Sequence, residues 1–85
     1  MSAQVKPPKN LPDSNDLRKV LAYNIHFYRA IKGWSQERLA NECGLDRTYV
    51  SAIERCRWNV SLSNIEKIAL TLDIEPWQLL YAPNS

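Results

Sequence analysis

His26 is the only histidine in this chain of 85 residues, and Cys43 and Cys56 are its only cysteines. A four-ligand zinc site cannot be built from that set, and two cysteines are too few for a disulfide framework. Both thiols are therefore expected to be reduced and mostly packed. Glycine is as scarce: Gly33 and Gly44 are the whole complement, which leaves no phosphate-cradling loop. With no paired carboxylates at a plausible cleft either, no catalytic constellation can be drawn, and the chain reads as a non-enzyme without metal or cofactor. No apolar run approaches the roughly 18 residues that span a bilayer, and the N-terminus lacks the apolar core of a signal peptide. These absences point to the cytoplasm and away from a membrane. The length allows one domain with a small core, no deep cleft and no second domain to hold a small-molecule effector.

What is present is ordinary for a globular chain, with 45% hydrophobic and 24% charged residues. The net charge of +2 is too small to argue for nucleic acid by itself, so its distribution carries more. Residues 17–60 hold eight basic side chains against four acidic ones, whereas residues 61–85 hold Lys67 against Glu66, Asp73 and Glu75. A basic half of this kind suits a phosphate-facing surface, although an unevenly charged solvated surface would look the same.

The basic half contains the stretch SQERLANECGLDRTYVSAIE, residues 35–54. Two short helical patterns are joined there by one glycine. Leu39 and Ala40 are core candidates on the first helix, and Val50 and Ile53, three apart, on the second. Ala40 is small where two crossing backbones must approach, and Gly44 stands at the corner, where a left-handed conformation costs other residues about a kilocalorie. Ser35 is expected to cap the first helix. Asp46 is expected to cap the second from an amide near Tyr49, with Leu45 and Val50 as a hydrophobic staple. Such a pair is a helix-turn-helix, spanning residues 36–55, and it turns Arg47, Thr48, Ser51 and Ala52 outward. A major groove admits one helix, whose N-terminal outward residues meet base edges. Arg47 has the fork to bond O6 and N7 of one guanine. Thr48 and Ala52 suit a thymine methyl, and Ser51 suits a base or a phosphate.

The stretch resembles the helix-turn-helix of the lambda-repressor/Cro-like (Xre) family of bacterial and phage regulators. The run LDRTYVSAIER is especially similar to the recognition region of controller proteins of restriction-modification operons. The resemblance covers roughly residues 17 to 80. It implies a compact all-α, five-helix DNA-binding domain. It also implies a structural ion pair between Arg29 and Glu54, and a phosphate contact by Gln36 at the positive end of its helix. Arg55, Arg57 and Asn59 fall on a loop that in this fold runs beside the sugar-phosphate backbone. Trp58 stands where controllers usually carry arginine, so a packed indole and a backbone contact both stay open. Tyr49 is likewise open between packing and a hydroxyl aimed at the backbone.

Around the motif, residues 1–16 hold three prolines and no net charge and read as a disordered or extended lead. Two lysines there give little support for an arm that follows the duplex. Residues 17–82 form the domain and residues 83–85 a short tail. The first helix should run from a cap at Asn15 or Asp16 to Lys32, stopped by Gly33. Leu17, Leu21, Ile25 and Tyr28 would form its core face, and Val20, Tyr23, Phe27 and Ile31 a second apolar stripe. His26 falls outside both stripes and reads as solvated. Trp34 reads as a core plug. A fourth helix from Ser61 buries Leu62, Ile65, Ile68, Ala69 and Leu72, and Asp73 replaces a glycine in left-handed geometry. Pro76 opens a fifth, short helix. Its Trp77, Leu79, Leu80 and Tyr81 exceed what one short helix hides and are candidates for a dimer interface.

The expected function is a double-stranded DNA-binding transcription regulator that reads an inverted repeat as a homodimer, with a restriction-modification controller as one version and an antitoxin-type autorepressor as another. A protein-interaction module on the same scaffold is the alternative. It would show acidic or apolar residues where this chain has arginine, threonine, serine and alanine.

Overall fold

The computed structural model describes residues 5–83, so the expectations for residues 1–4 and 84–85 lie outside the described residues. Four α-helices follow one another, α1 (Leu17–Lys32), α2 (Gln36–Cys43), α3 (Arg47–Glu54) and α4 (Leu62–Thr71), before a closing 3-10 helix, Pro76–Leu80. The expectation of five α-helices is thereby corrected to four and one 3-10 helix. Five residues opened by a proline are too few to establish a run of i to i+4 bonds, and the Gln78 amide instead donates to the Glu75 carbonyl three residues back, at 3.0 Å.

The helix boundaries follow from caps that the chain supplies at each start. Asp16 accepts from the Lys19 amide, Ser35 from Arg38, and Ser61 from Asn64. Asp46 accepts from Thr48 at 2.7 Å, one residue nearer than Tyr49. Each cap satisfies one of the amides that a helix start leaves without a partner. Gly44 ends α2 with φ of 73°, which lets α3 leave at a sharp angle without a side-chain penalty. Asp73 takes φ of 62° after α4, the left-handed geometry anticipated for it.

Ile25, Leu39, Ile53, Ile68 and Leu79 are fully buried and come from all five helical segments, so one core holds the whole domain together. Leu17 and Leu62 depart from expectation, at 59% and 75% exposed. Each is the first residue of its helix. Periodicity places it on the correct face but beyond the end of the packed layer. The second stripe of α1 divides: Val20 is buried, Phe27 is at its edge, and Ile31 is exposed. Trp34 is half-buried rather than a plug, with Lys32 Nζ 5.0 Å and Arg38 Cζ 4.8 Å from its ring centre.

Two polar anchors cross this core. Arg29 is 5% exposed, and its Nε and Nη2 each donate at 2.8 Å to one oxygen of Glu54, while Nη1 donates to the Trp34 carbonyl at 2.8 Å. α1, the start of α2 and the end of α3 are thus joined by one guanidinium. Asn24 is the other anchor: its amide nitrogen donates to the carbonyls of Leu79 and Tyr81 at 2.8 and 2.9 Å, with Gln78 at 3.3 Å. It ties the closing 3-10 helix to α1.

Removing one partner of a buried charge pair leaves the other uncompensated, at about 3–5 kcal/mol. Arg29→Ala should therefore lose a large part of the stability of so small a domain, and thermal melting checks it; an unchanged melting temperature refutes the anchor. Asn24→Asp keeps the shape but turns a donor into an acceptor that faces carbonyls. It should lower stability by about 1–3 kcal/mol in urea titrations near neutral pH.

Candidate nucleic-acid interface

The corner at Gly44 and the Asp46 cap set the direction of α3, and the apolar residues Val50 and Ile53 fix its rotation by turning into the core. The opposite side then presents Arg47 and Thr48 exposed and Ser51 half-buried. Asp46, the carboxylate next to Arg47, is occupied as the helix cap. Among the described residues Arg47 has no ion-pair partner. Ala52 departs from expectation. It is only 5% exposed in the chain itself, so its methyl has no open approach to a base and provides closeness rather than a contact.

Across a hollow of about 500 Å³, Arg47 faces Ser35, Gln36 and Glu37 at the start of α2. The Ser35 hydroxyl is engaged as the cap, and Gln36 Nε2 donates to Glu54 Oε1 at 3.1 Å. Gln36 is therefore an outer member of the Arg29–Glu54 anchor. Its amide group is held in place by the same carboxylate that orients the guanidinium, and the first amides of α2 have no partner within the helix.

Tyr49 is half-buried. Its ring lies 5.5 Å from Trp58, and its hydroxyl accepts from Asn64 Nδ2 at 2.9 Å. Trp58 is 51% exposed, one face given to Tyr49 and the rest open. Arg55, Arg57 and Asn59 are exposed around it. The loop turns at Cys56, which has φ of 60° and donates Sγ–H to the Arg18 carbonyl at 3.7 Å. A cysteine in left-handed geometry carries no sequence signal, unlike glycine or asparagine. Burial pushes the pKa of the other thiol, Cys43, upward, with the Thr71 hydrogen bond pulling the opposite way. Cys43 stands as a protonated core residue.

The candidates for a dimer interface lie on the closing 3-10 helix and just after it. Trp77 and Tyr81 are 62% and 56% exposed and meet edge to face at 6.0 Å. Leu80 is half-buried. Leu79 is fully buried and is corrected from interface to core, because the Asn24 bonds on its own carbonyl and on Tyr81 draw that turn against α1. Beside them Tyr23, Phe27 and Tyr28 form an aromatic run on α1, stacked at 6.3 Å and edge to face at 5.3 Å. His26 was expected to be solvated; it is half-buried and pairs through Nε2 with the Lys6 carbonyl at 2.8 Å. Asn24, Asn64 and His26 escaped the sequence reading. Of these only Asn24 carried a signal, a polar residue three from Leu21 and four from Tyr28 on a core face. No helix is long and apolar enough to cross a membrane, and no three metal-ligating side chains gather among the described residues.

Comparison with known proteins places this geometry. Residues 25–76 match the family model described as helix-turn-helix. Over 83 residues, 98% of this chain and 78% of the relative, the sequence is 59% identical to a hypothetical transcription factor of Neisseria meningitidis. The solved structure of that Neisseria factor superposes with a TM-score of 0.92 at 60% identity, over 94% of this chain and 92% of the other. The restriction-modification controller protein C.AhdI of Aeromonas hydrophila is 48% identical, with a TM-score of 0.70, over 73% of this chain and 94% of the other. The biofilm master regulator SinR, solved in complex with DNA, is 35% identical, with a TM-score of 0.68, over 72% of this chain and 98% of the other. The coverage of the Neisseria structure leaves about five residues of this chain unmatched, so it takes in most of the lead before α1, which the controller match need not include. A capped, glycine-cornered helix pair braced by a buried Arg29–Glu54 pair, matched along most of its length by such relatives, makes this chain a member of the lambda-repressor/Cro-like (Xre) helix-turn-helix family of DNA-binding transcriptional regulators.

Proposed function

We propose that this protein is a sequence-specific regulator that reads an inverted repeat in duplex DNA as a homodimer, with the control of a restriction-modification operon as its best-supported role. The observation that carries the reading is the open guanidinium of Arg47 at the N-terminus of α3, across one hollow from Ser35 and Gln36 at the start of α2. A base-reading fork and a phosphate-facing helix start are thereby presented to the same side. In this reading Arg47 bonds a guanine, Thr48 meets a thymine methyl and Ser51 a base or phosphate. Ser35, Gln36, Arg55, Arg57 and Asn59 face the sugar-phosphate backbone, with the open part of Trp58 resting against it. Tyr49, its hydroxyl already accepting from Asn64, positions that loop.

A single α3 reads only a few base pairs, so useful specificity needs two copies. The exposed Trp77 and Tyr81, together with Leu80 and the Phe27 edge, form an apolar surface available for pairing. Twofold pairing would set the half-sites about 10 base pairs apart. The restriction-modification role rests on the similarity to C.AhdI. Such a regulator works in the cytoplasm, at the nucleoid.

Selection of duplexes from a random pool should return an inverted repeat, and sedimentation should find a dimer on it; a monomer both free and on DNA refutes the pairing. Arg47→Ala should weaken binding by about 1–3 kcal/mol and relax preference at one base pair per half-site. Equal weakening at every sequence would make Arg47 a phosphate clamp and overturn its base-reading role.

A further inference from the structure

The described part of the lead, residues 5–16, packs against the domain. Pro12 is buried, Val5 and Pro8 are half-buried, and the Lys6 carbonyl is bonded to His26 at 2.8 Å. Its course can be followed by what it meets. Pro8, Asn10, Pro12 and Asp13 share a cleft of about 420 Å³ with Lys19, Ala22 and Tyr23, the Lys6 carbonyl meets His26, and Val5 lines a hollow with Arg29. The lead therefore runs antiparallel to α1, back along its length. The contacts run from Lys19 and Ala22 to Arg29, so the lead covers about 10–15 Å of a helix about 24 Å long, with a bend at Lys9 and Asn10. Pro7, Pro8 and Pro12 restrict this segment before it docks, which lowers the entropy lost on ordering it.

The end of this path is the informative part. The hollow that Val5 lines is the one that holds Ser35, Gln36 and Arg47. Lys6 is the next residue, exposed, and Lys9 is exposed further back. Neither has an ion-pair partner among the described residues. A strap that only protected α1 would have no need to bring the unpaired Lys6 beside the hollow that holds Arg47.

We propose that the lead is a second nucleic-acid-binding element, which delivers Lys6 and Lys9 to the phosphates of the strand that passes the start of α2. The His26 bond to the Lys6 carbonyl fixes the reach of the strap, so the lysines are placed before DNA arrives rather than searching from a free arm. The contact is to backbone charge and not to base edges, because the lead brings ammonium groups and no planar fork. This rests on the regulator reading above and adds a surface that the helix-turn-helix does not contain.

The test is the salt dependence of full-chain binding to duplex DNA. Two phosphate contacts contribute about 0.9 each to the slope of log affinity against log salt. In the double variant Lys6→Gln, Lys9→Gln the slope should fall by about 2, so the affinity lost between 50 and 200 mM salt should be about tenfold smaller than for the parent. Weakening should be uniform across duplex sequences, whereas Arg47→Ala acts at one base pair. His26→Leu, which frees the strap, should reproduce part of the affinity loss with the base preference unchanged. A parent that binds with a steep slope and a double variant with the same slope would overturn the proposal and leave the regulator reading in place. A parent that binds no duplex at any salt would overturn both.

Discussion

The fork between Arg29 and Glu54 is the constraint on which the rest of this small domain depends. A guanidinium with three of its nitrogens engaged at 2.8 Å, two on one carboxylate and one on the Trp34 carbonyl, admits one relative placement of α1, the start of α2 and the end of α3. Apolar packing alone would tolerate small slips between helices of eight residues, because core side chains can repack at modest cost. A planar, bidentate pair would not. Gln36 extends the constraint outward by bonding to the same Glu54 oxygen, so the first turn of α2 is held by the group that holds α3. The relation between the α2 N-terminus and Arg47, the quantity a duplex would measure, is thus determined from inside the protein.

A second constraint separates two surfaces. Asn24 draws the 3-10 helix onto α1 by three carbonyls, which sinks Leu79 and leaves Trp77 and Tyr81 outward. The aromatic patch is carried by the 3-10 helix and α1, and the basic residues of the recognition side by α3 and its loop, so the two surfaces belong to different elements. The acidic excess of the sequence lies in residues 61–85, outside the helix pair that carries Arg47, so like-sign repulsion of a phosphate chain is not built into α2 or α3 by that excess.

Much of this was legible because the signals were local. Caps at Asp16, Ser35, Asp46 and Ser61 and the glycines at positions 33 and 44 each act within one turn, and the helices begin and end where those residues demand. The Arg29–Glu54 pair was reached through resemblance and not through spacing, since nothing in the sequence marks two charges 25 residues apart as partners. What escaped depends on distance along the chain in the same way. Ala52 looked outward on a helical wheel, but a wheel does not know the neighbouring segments that cover it. Leu79 was one of four large residues in five, and which of them turned inward was decided by Asn24, 55 residues earlier. Cys56 adopts a left-handed φ that its type does not favour, held by a bond to the Arg18 carbonyl and by the Arg57 amide returning to Ala52.

The lead carries the same lesson into function. Its composition, proline-rich with balanced charge, is that of a segment with too little apolar surface to hold itself in place. Its described residues are placed all the same, because α1 offers a track: Ala22 is buried beside them, and His26 has a ring nitrogen for the Lys6 carbonyl. Three prolines reduce what must be lost on docking, so a few contacts suffice. Charge balance over 16 residues also concealed an internal order, with both lysines in the part nearer the hollow of Arg47 and both aspartates in the part that leads into α1. Asp13 and Asp16 are occupied with backbone amides at the helix start. The net charge of zero therefore divides into a structural half that is spent and a basic half that remains available, and only the basic half is left to act on a phosphate chain.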